Sequence, residues 1–242
     1  MPNIIDVLHK RQVIWISPHL DDICFSLGGL VSKVNHGHLL NLFSISNYVE
    51  RLDHTYNQNV ISKIRDGEDS LFAQRCNLSR YNFSFEDPSV LGINPFILTG
   101  LDIEVDKINS ALIPYLLDQK NETEKICLVS PMGIGGHKNH LSIAIAIIKN
   151  IEVLKDKFDL FFYADLPYAK DDARGLNAIN LFNHATRLYK KNTFLSYLNE
   201  DELVQKNSLI SLYKSQHKSE PNIFDFCIMD KDKYFEMLFQ VF

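Results

Sequence analysis

Only four cysteines, Cys24, Cys76, Cys127 and Cys227, occur among the 242 residues, and no two form a CxxC pair. That excludes a disulfide framework or a thiolate metal cluster as the organising device and leaves each thiol as a small apolar side chain. Long apolar runs are also missing, so no membrane span is expected, and Met1 to Lys10 lacks the apolar stretch of a secretory signal. A cytoplasmic location follows as the expectation. Positive charge is scarce, with 25 Lys and Arg against 30 Asp and Glu and a formal net charge of −5. Nothing therefore draws the chain to nucleic acid or to an anionic membrane surface, and a small neutral or mildly anionic partner molecule fits better. Repeats, low-complexity tracts and linkers are absent too, which argues for a single domain over 1–242; a homo-oligomer remains open.

What is present is a globular composition, 45% hydrophobic and 23% charged, in a chain long enough to bury a full core. The β-branched and aromatic run Gln12 to Ser17 (QVIWIS) reads as a buried strand ending at Pro18. Apolar residues at helical spacing follow from Asp21 to Val34, and His38 to Ser46 reads as a second strand. The alternation continues with a helix over Asn57 to Cys76, a strand over Asn82 to Phe85 and a helix over Asp102 to Leu117. Then come a strand over Ile126 to Ser130, a helix over His140 to Leu154 and a strand over Asp159 to Ala164. Such alternation implies an α/β fold with a mainly parallel sheet and helices on both faces. The regular part ends near 166. Residues 167–242 read as a less regular portion of the same domain, with one helix over Asp201 to Tyr213 and an aromatic ending, Tyr234 to Phe242, of undetermined type.

Two polar clusters fall just beyond predicted strand ends, where ligands sit in sheets of this class. The first, Pro18-His19-Leu20-Asp21-Asp22, offers an imidazole and two carboxylates within four positions. On a turn entering a helix, His19 and Asp22 project to one side while Asp21 points elsewhere and can address a water. Helix capping by the two acids is the rival explanation. The second, Gly133-Ile134-Gly135-Gly136-His137-Lys138-Asn139-His140, places two histidines three apart behind glycines that allow positive φ and close backbone approach. Histidines capping a helix are the commoner reading of such a pair taken alone. Two such clusters in a chain with nine histidines point instead to one metal centre. His19, Asp22 and His140 supply the three protein ligands that a catalytic zinc commonly uses, with Asp21 and His137 left for chemistry. Two histidines and a carboxylate also suit Fe2+ or another divalent ion.

ISPHLDDICFSLGGLVSK and SPMGIGGHKNHLSIAIA, in this order and separation, resemble the PHPDDE and HPDH motifs of the LmbE-like and PIG-L family of zinc-dependent de-N-acetylases. The likeness covers most of the chain and implies a Rossmann-like α/β fold in three layers. Further parallels are Arg65 and Glu68 in IRDGEDSLFA, similar to an RxxE helix, and Asp87 in FSFEDPS, similar to an aspartate of the substrate pocket. Lys206, Tyr213, Ser215 and Gln216 resemble a late lysine and a YxSQ pattern. Leu20 stands where the family has proline, Ile23 replaces an acid, and Lys138-Asn139 replaces Pro-Asp. The GIGG stretch also lacks an aromatic that some relatives carry just before the HxxH.

The resemblance implies hydrolysis of an N-acetylated amino sugar of the N-acetylglucosamine type, with acetate as product. Zinc would activate a water and the amide carbonyl, Asp21 would be the base, and His137 would stabilise the oxyanion or protonate the leaving amine. Arg65, Glu68 and Asp87 become the expected substrate contacts. Two rivals stay open: a metal-dependent amidase acting on a non-sugar or thiol-conjugate amide, and a non-catalytic nucleotide-binding module suggested by Gly28 and Gly29. Those glycines fall inside the helical pattern rather than in the turn before it, and no GxGxxG is present.

Overall fold

The computed structural model describes residues 3–50, 56–120, 124–170 and 172–242. In chain order the elements are α1 (Ile4–His9), β1 (Val13–Ser17), α2 (Asp22–Val34), β2 (Gly37–Asn41), α3 (Gln58–Arg75), β3 (Leu78–Asn82) and α4 (Leu101–Asp118). They continue with β4 (Ile126–Pro131), α5 (Lys138–Lys149), α6 (Ile151–Leu154), β5 (Phe158–Tyr163), α7 (Asp172–Ala185), β6 (Lys191–Leu198), α8 (Glu200–Ile210), β7 (Ile228–Asp230) and β8 (Lys233–Val241).

One sheet runs in the order β3-β2-β1-β4-β5-β8-β6, with β7 beside β8. The first five strands are parallel and β8 joins antiparallel to β5. Strand pleating sorts the core into two layers. Ile14, Ile16, Leu40 and Leu128 face α4 and α5 through Val105, Ile108, Leu112, Ile143 and Ile147. Val13, Trp15, Leu39 and Val129 face α2, α3 and α8 through Leu27, Val31, Phe72 and Leu209. Helices on both faces of a sheet give the three-layer α/β arrangement.

The portion after 166 is more regular than its sequence suggests. It contributes α7, β6, α8, β7 and β8, and β8 pairs directly with β5, so it completes the same sheet. In β6 the outward face carries Leu195 and Tyr197, both exposed, beside an inward Phe194 and Leu198, and apolar residues on both faces erase the alternating signal. At the other edge the strand is Leu78–Asn82 rather than Asn82 to Phe85. Polar Ser79 and Arg80 hide this edge strand, whereas Phe83 and Phe85 follow it and pack around Tyr115 and Phe43. The predicted helix to Leu154 breaks at Asn150 into α5 and α6.

Helix α2 is bent at Leu27 (φ −130°, ψ 16°). The bend frees the amides of Gly29 and Leu30, which donate to the Glu236 carboxylate of β8 at 2.8 and 2.7 Å. A Cβ on Gly29 would lie 2.5 Å from Leu198, and one on Gly28 would touch Lys206. The glycine pair therefore serves close helix packing, which removes the basis for the nucleotide-binding alternative.

Candidate metal centre and its cavity

Sheet order explains why distant sequence segments meet. Strands β3, β2, β1, β4 and β5 lie side by side and parallel, so the segments after them carry, in the same spatial order, Asp87, Ser46, the His19 to Asp22 cluster, His137 with His140, and Asp165. The order reverses at β1, with chain connections leaving on both sides, and a crevice opens there.

His19 Nδ1 lies 3.0 Å and His140 Nε2 3.3 Å from the same oxygen, Asp22 Oδ2. An ion with tetrahedral bonds of about 2.1 Å holds its donors roughly 3.4 Å apart, so the donor set fits a small divalent cation. Potential ligand atoms of His19, His137 and His140, and those of His19, Asp21 and Asp22, also lie within 4.8 Å of one another. Burial alone would raise the Asp22 carboxyl, but the imidazoles of His140 and His19 outweigh it and hold the group well below the ordinary carboxylate range. In return Asp22, with Asp165, pushes His140 up to about 10 against the effect of burial. The carboxylates thus attract positive charge strongly to this point, a proton or a metal ion alike.

Asp165 has no counterpart among the residues singled out from sequence. It follows β5, accepts from His140 Nδ1 at 2.8 Å, and takes the backbone amides of Met132 and Ile134 at 3.2 and 2.9 Å. Donation from Nδ1 to Asp165 leaves Nε2 as the nitrogen that would give up its proton to a metal ion, as in carboxylate-histidine-metal arrangements. The discoverable signal was an acid at the C-terminal end of a buried strand, in the run FYADLP.

Capping does not explain the two acids. Asp21 occupies the N-cap of α2 without a side-chain capping bond, and Ser17 Oγ accepts from the Ile23 amide instead. Asp21 Oδ2 is 3.2 Å from Arg65 Nη2, and burial raises this carboxyl although Arg65 opposes the shift. His137 does accept from the Asn139 amide through Nδ1, at 3.3 Å, as the N-cap of α5. With Nδ1 accepting, the ring proton sits on Nε2. Burial, then His19 and His140, lowers His137 to about 2, so it stays neutral at physiological pH.

A cavity of about 470 Å3 opens over this cluster, lined by His19, Asp21, Asp22 and His137 at its floor. Arg65 and Asp87 line it as well, whereas Glu68 does not. Arg65 is spanned between Asp21, Ser46 Oγ at 2.7 Å and Asp87 Oδ2 at 3.7 Å. Glu68 accepts from the Ser215 amide and hydroxyl at 2.8 and 2.6 Å, and Tyr213 donates to Asp69 at 3.1 Å. The YKSQ stretch is thereby docked on α3, with Gln216 and His217 reaching the cavity wall. Lys206 lies elsewhere, buried against Glu236 at 2.7 Å.

Among the glycines before His137, Gly135 answers a different need from close approach to a ligand. Gly133, Gly135 and Gly136 have φ of 83°, 94° and 74°, and a Cβ on Gly135 would fall 2.5 Å from the ring of Tyr168. Tyr168 occupies that space, stands edge-on to His140 at 5.9 Å and lines the cavity. Tyr168 is thus an aromatic that the segment after β5 brings beside the HxxH.

No family model matches the sequence. A curated relative, the 2'-N-acetylparomamine deacetylase of Streptomyces fradiae, is 26% identical over 167 residues, which cover 67% of this chain. The match spans 59% of that relative's length, less than two thirds. A deacetylase of the teicoplanin biosynthesis pathway shares the fold at a TM-score of 0.71 and 18% identity, covering 96% of this chain and 98% of its own. The zinc-inhibited form of teicoplanin deacetylase Orf2 matches at a TM-score of 0.69 and 19% identity, covering 96% and 98%.

Proposed function

We propose that this chain, which is related to deacetylases of the LmbE and PIG-L type, is a zinc-dependent hydrolase. Its substrate would be an amino sugar of the N-acetylglucosamine type, and acetate and a free amine its products. The observation that carries this reading is the oxygen of Asp22 shared by His19 and His140 at ligand spacing, with the carboxylate of Asp21 uncommitted to any cap beside it. A divalent ion held by His19, Asp22 and His140 would supply Lewis-acid polarisation of the amide carbonyl and a water of lowered pKa.

The chain's own groups do the rest. Asp21 takes the proton of the attacking water, and the upward shift of its carboxyl moves it toward the pH at which it must accept and release that proton. Arg65 keeps it oriented at 3.2 Å. His137, neutral and protonated on Nε2, donates a hydrogen bond to the oxyanion that forms when the water oxygen bonds to the carbonyl carbon. On collapse the C–N bond breaks, and Asp21 returns its proton to the leaving amine. Asp87, in the cavity wall, accepts from a sugar hydroxyl. Glu68 acts at a distance, by holding the turn that carries Gln216 and His217.

The test pairs two substitutions. Asp21→Asn retains bound metal and loses about 10²- to 10⁴-fold in acetate release, the range that general base catalysis supplies; His140→Ala loses the metal itself. Elemental analysis of protein purified without chelator identifies the ion, and unchanged turnover in Asp21→Asn would refute the assigned base.

A further inference from the structure

Tyr48 is tethered at three points and still presents its ring. It lines the cavity above the metal centre and also a neighbouring cavity of about 650 Å3, so it borders both, and it is 46% exposed. Its amide donates to Ser46 Oγ at 3.0 Å, and its carbonyl accepts from Gln216 Nε2 at 3.5 Å. Its hydroxyl donates to the Glu50 carboxylate, which Lys218 Nζ meets at 3.1 Å. The Glu50 amide in turn donates to the Ser215 carbonyl at 2.8 Å. Burial, and then the bond to Glu50, push the phenol above its ordinary value, so the hydroxyl keeps its proton and its partner.

A half-exposed phenol whose hydroxyl is already committed offers a ligand chiefly the face of its ring. The matching surface on a sugar is the face of the pyranose that carries C–H bonds, which is flat and apolar. Tyr48 is also tied to the side of the site where the sugar must lie. Ser46 Oγ, which accepts its amide, accepts from Arg65 Nη1 at 2.7 Å as well, and Arg65 Nη2 is 3.2 Å from Asp21. Two side chains therefore link Tyr48 to the proposed base. Asp21 returns its proton to the amide nitrogen, and that nitrogen is bonded directly to the sugar ring. Phe96, by contrast, meets the ring of His137 at 5.9 Å, on the side of the carbonyl oxygen.

We propose that Tyr48 is a specificity-determining residue, whose ring stacks on the pyranose of the acetamido sugar and selects a closed sugar ring over an open-chain amide of the same polarity. This rests on the deacetylase reading above and deepens it. The tethers through Ser46, Gln216 and Glu50 hold the ring at its angle before the substrate arrives, so little freedom is lost on binding.

The experiment measures kcat and KM for acetate release from two substrates, the methyl glycoside of N-acetylglucosamine and N-acetylglucosaminitol, its ring-opened polyol. The metal-loaded wild-type protein is compared with Tyr48→Phe, Tyr48→Leu and Tyr48→Ala. The wild-type protein is expected to favour the glycoside in kcat/KM by about tenfold, the upper range of a single aromatic contact. Tyr48→Phe keeps the ring and keeps the preference. Tyr48→Ala and Tyr48→Leu reduce it to about twofold or less, through a higher KM for the glycoside. The leucine variant carries the comparison should the alanine variant fail to fold. Where turnover of the polyol is too slow to measure, the KM for the glycoside decides, rising about tenfold in Tyr48→Leu and not in Tyr48→Phe. No preference in the wild-type protein, or a preference that survives Tyr48→Ala and Tyr48→Leu, overturns the proposal and leaves the deacetylase reading intact. Equal loss in Tyr48→Phe and Tyr48→Ala also overturns it, because the hydroxyl bond to Glu50 and not the ring face would then carry the effect. Failure to release acetate from either substrate overturns the deacetylase reading, and the proposal with it.

Discussion

Among the described residues, two clusters of buried charge on this sheet are balanced in opposite ways. Lys206 and Glu236 meet at 2.7 Å with both side chains fully buried. The carboxylate accepts from the amides of Gly29 and Leu30, and the ammonium also donates to the Phe226 carbonyl at 2.5 Å. One cation faces one anion, and the remaining polar contacts are with backbone. At the strand ends, by contrast, Asp21, Asp22 and Asp165 gather around two imidazoles with the Arg65 guanidinium at one side, and the group opens into a cavity. The closed pair is complete and holds the bend of α2. The open cluster points the Asp22 carboxylate and two imidazoles at one spot beside the cavity, a donor set that a cation from outside can enter.

If that distinction is sound, perturbing each cluster changes a different observable. Lys206→Met leaves the Glu236 carboxylate buried without its countercharge and costs about 3–5 kcal/mol of stability, read as a lowered denaturation midpoint in urea. Adding Glu236→Leu to it recovers much of that loss, because an apolar pair of similar volume replaces the ion pair. Asp22→Asn is expected to move the midpoint far less while abolishing metal uptake. Equal destabilisation by Asp22→Asn and Lys206→Met would erase the contrast.

A smaller effect sharpens the role of Asp165. Asp165→Asn preserves an acceptor for the loop amides but weakens the hydrogen bond that orients His140, and a 10- to 100-fold loss of metal affinity follows. Competition against a chromophoric chelator measures it. Unchanged affinity would mean that the 2.8 Å contact orients the ring without tuning it as a ligand.

How much of this was legible in the sequence depended on whether a residue's partners were close along the chain or across the sheet. His19 with Asp22 and His137 with His140 are local patterns at strand ends, and β1, β4 and β5 hold the apolar runs 13–16, 126–129 and 160–163, so both could be read directly. Asp165 and Tyr168 are lone residues whose meaning comes from α5 and the glycine turn packed against them. The glycines of GIGG take the positive φ that their pattern predicts, yet Tyr168, the neighbour that Gly135 admits, lies more than thirty positions away. The C-terminal strands β6 and β8 were missed because their partners are each other and β5, an antiparallel addition that no alternating pattern announces. Arg65 and Glu68 share one helix, and only the packing of β2, β3 and the YKSQ turn separates them into a residue that lines the cavity and one that does not.

That last separation yields the mildest prediction, and it bears on the boundary between the two kinds of cluster. Glu68 is neither sealed like Glu236 nor open to the cavity like Asp21; it is partly buried and bound to the Ser215 amide and hydroxyl. Ser215→Ala removes the hydroxyl bond of 2.6 Å and leaves the amide bond in place, so about 1 kcal/mol of stability is lost. The turn bearing Gln216 and His217 then loosens at the cavity wall, which raises KM by less than tenfold and leaves kcat unchanged, since neither the metal ligands nor Asp21 shifts. Steady-state kinetics separates the two constants. A fall in kcat without a change in KM would place Glu68 in the chemistry, and the polar residues of α3 would then belong with the open cluster.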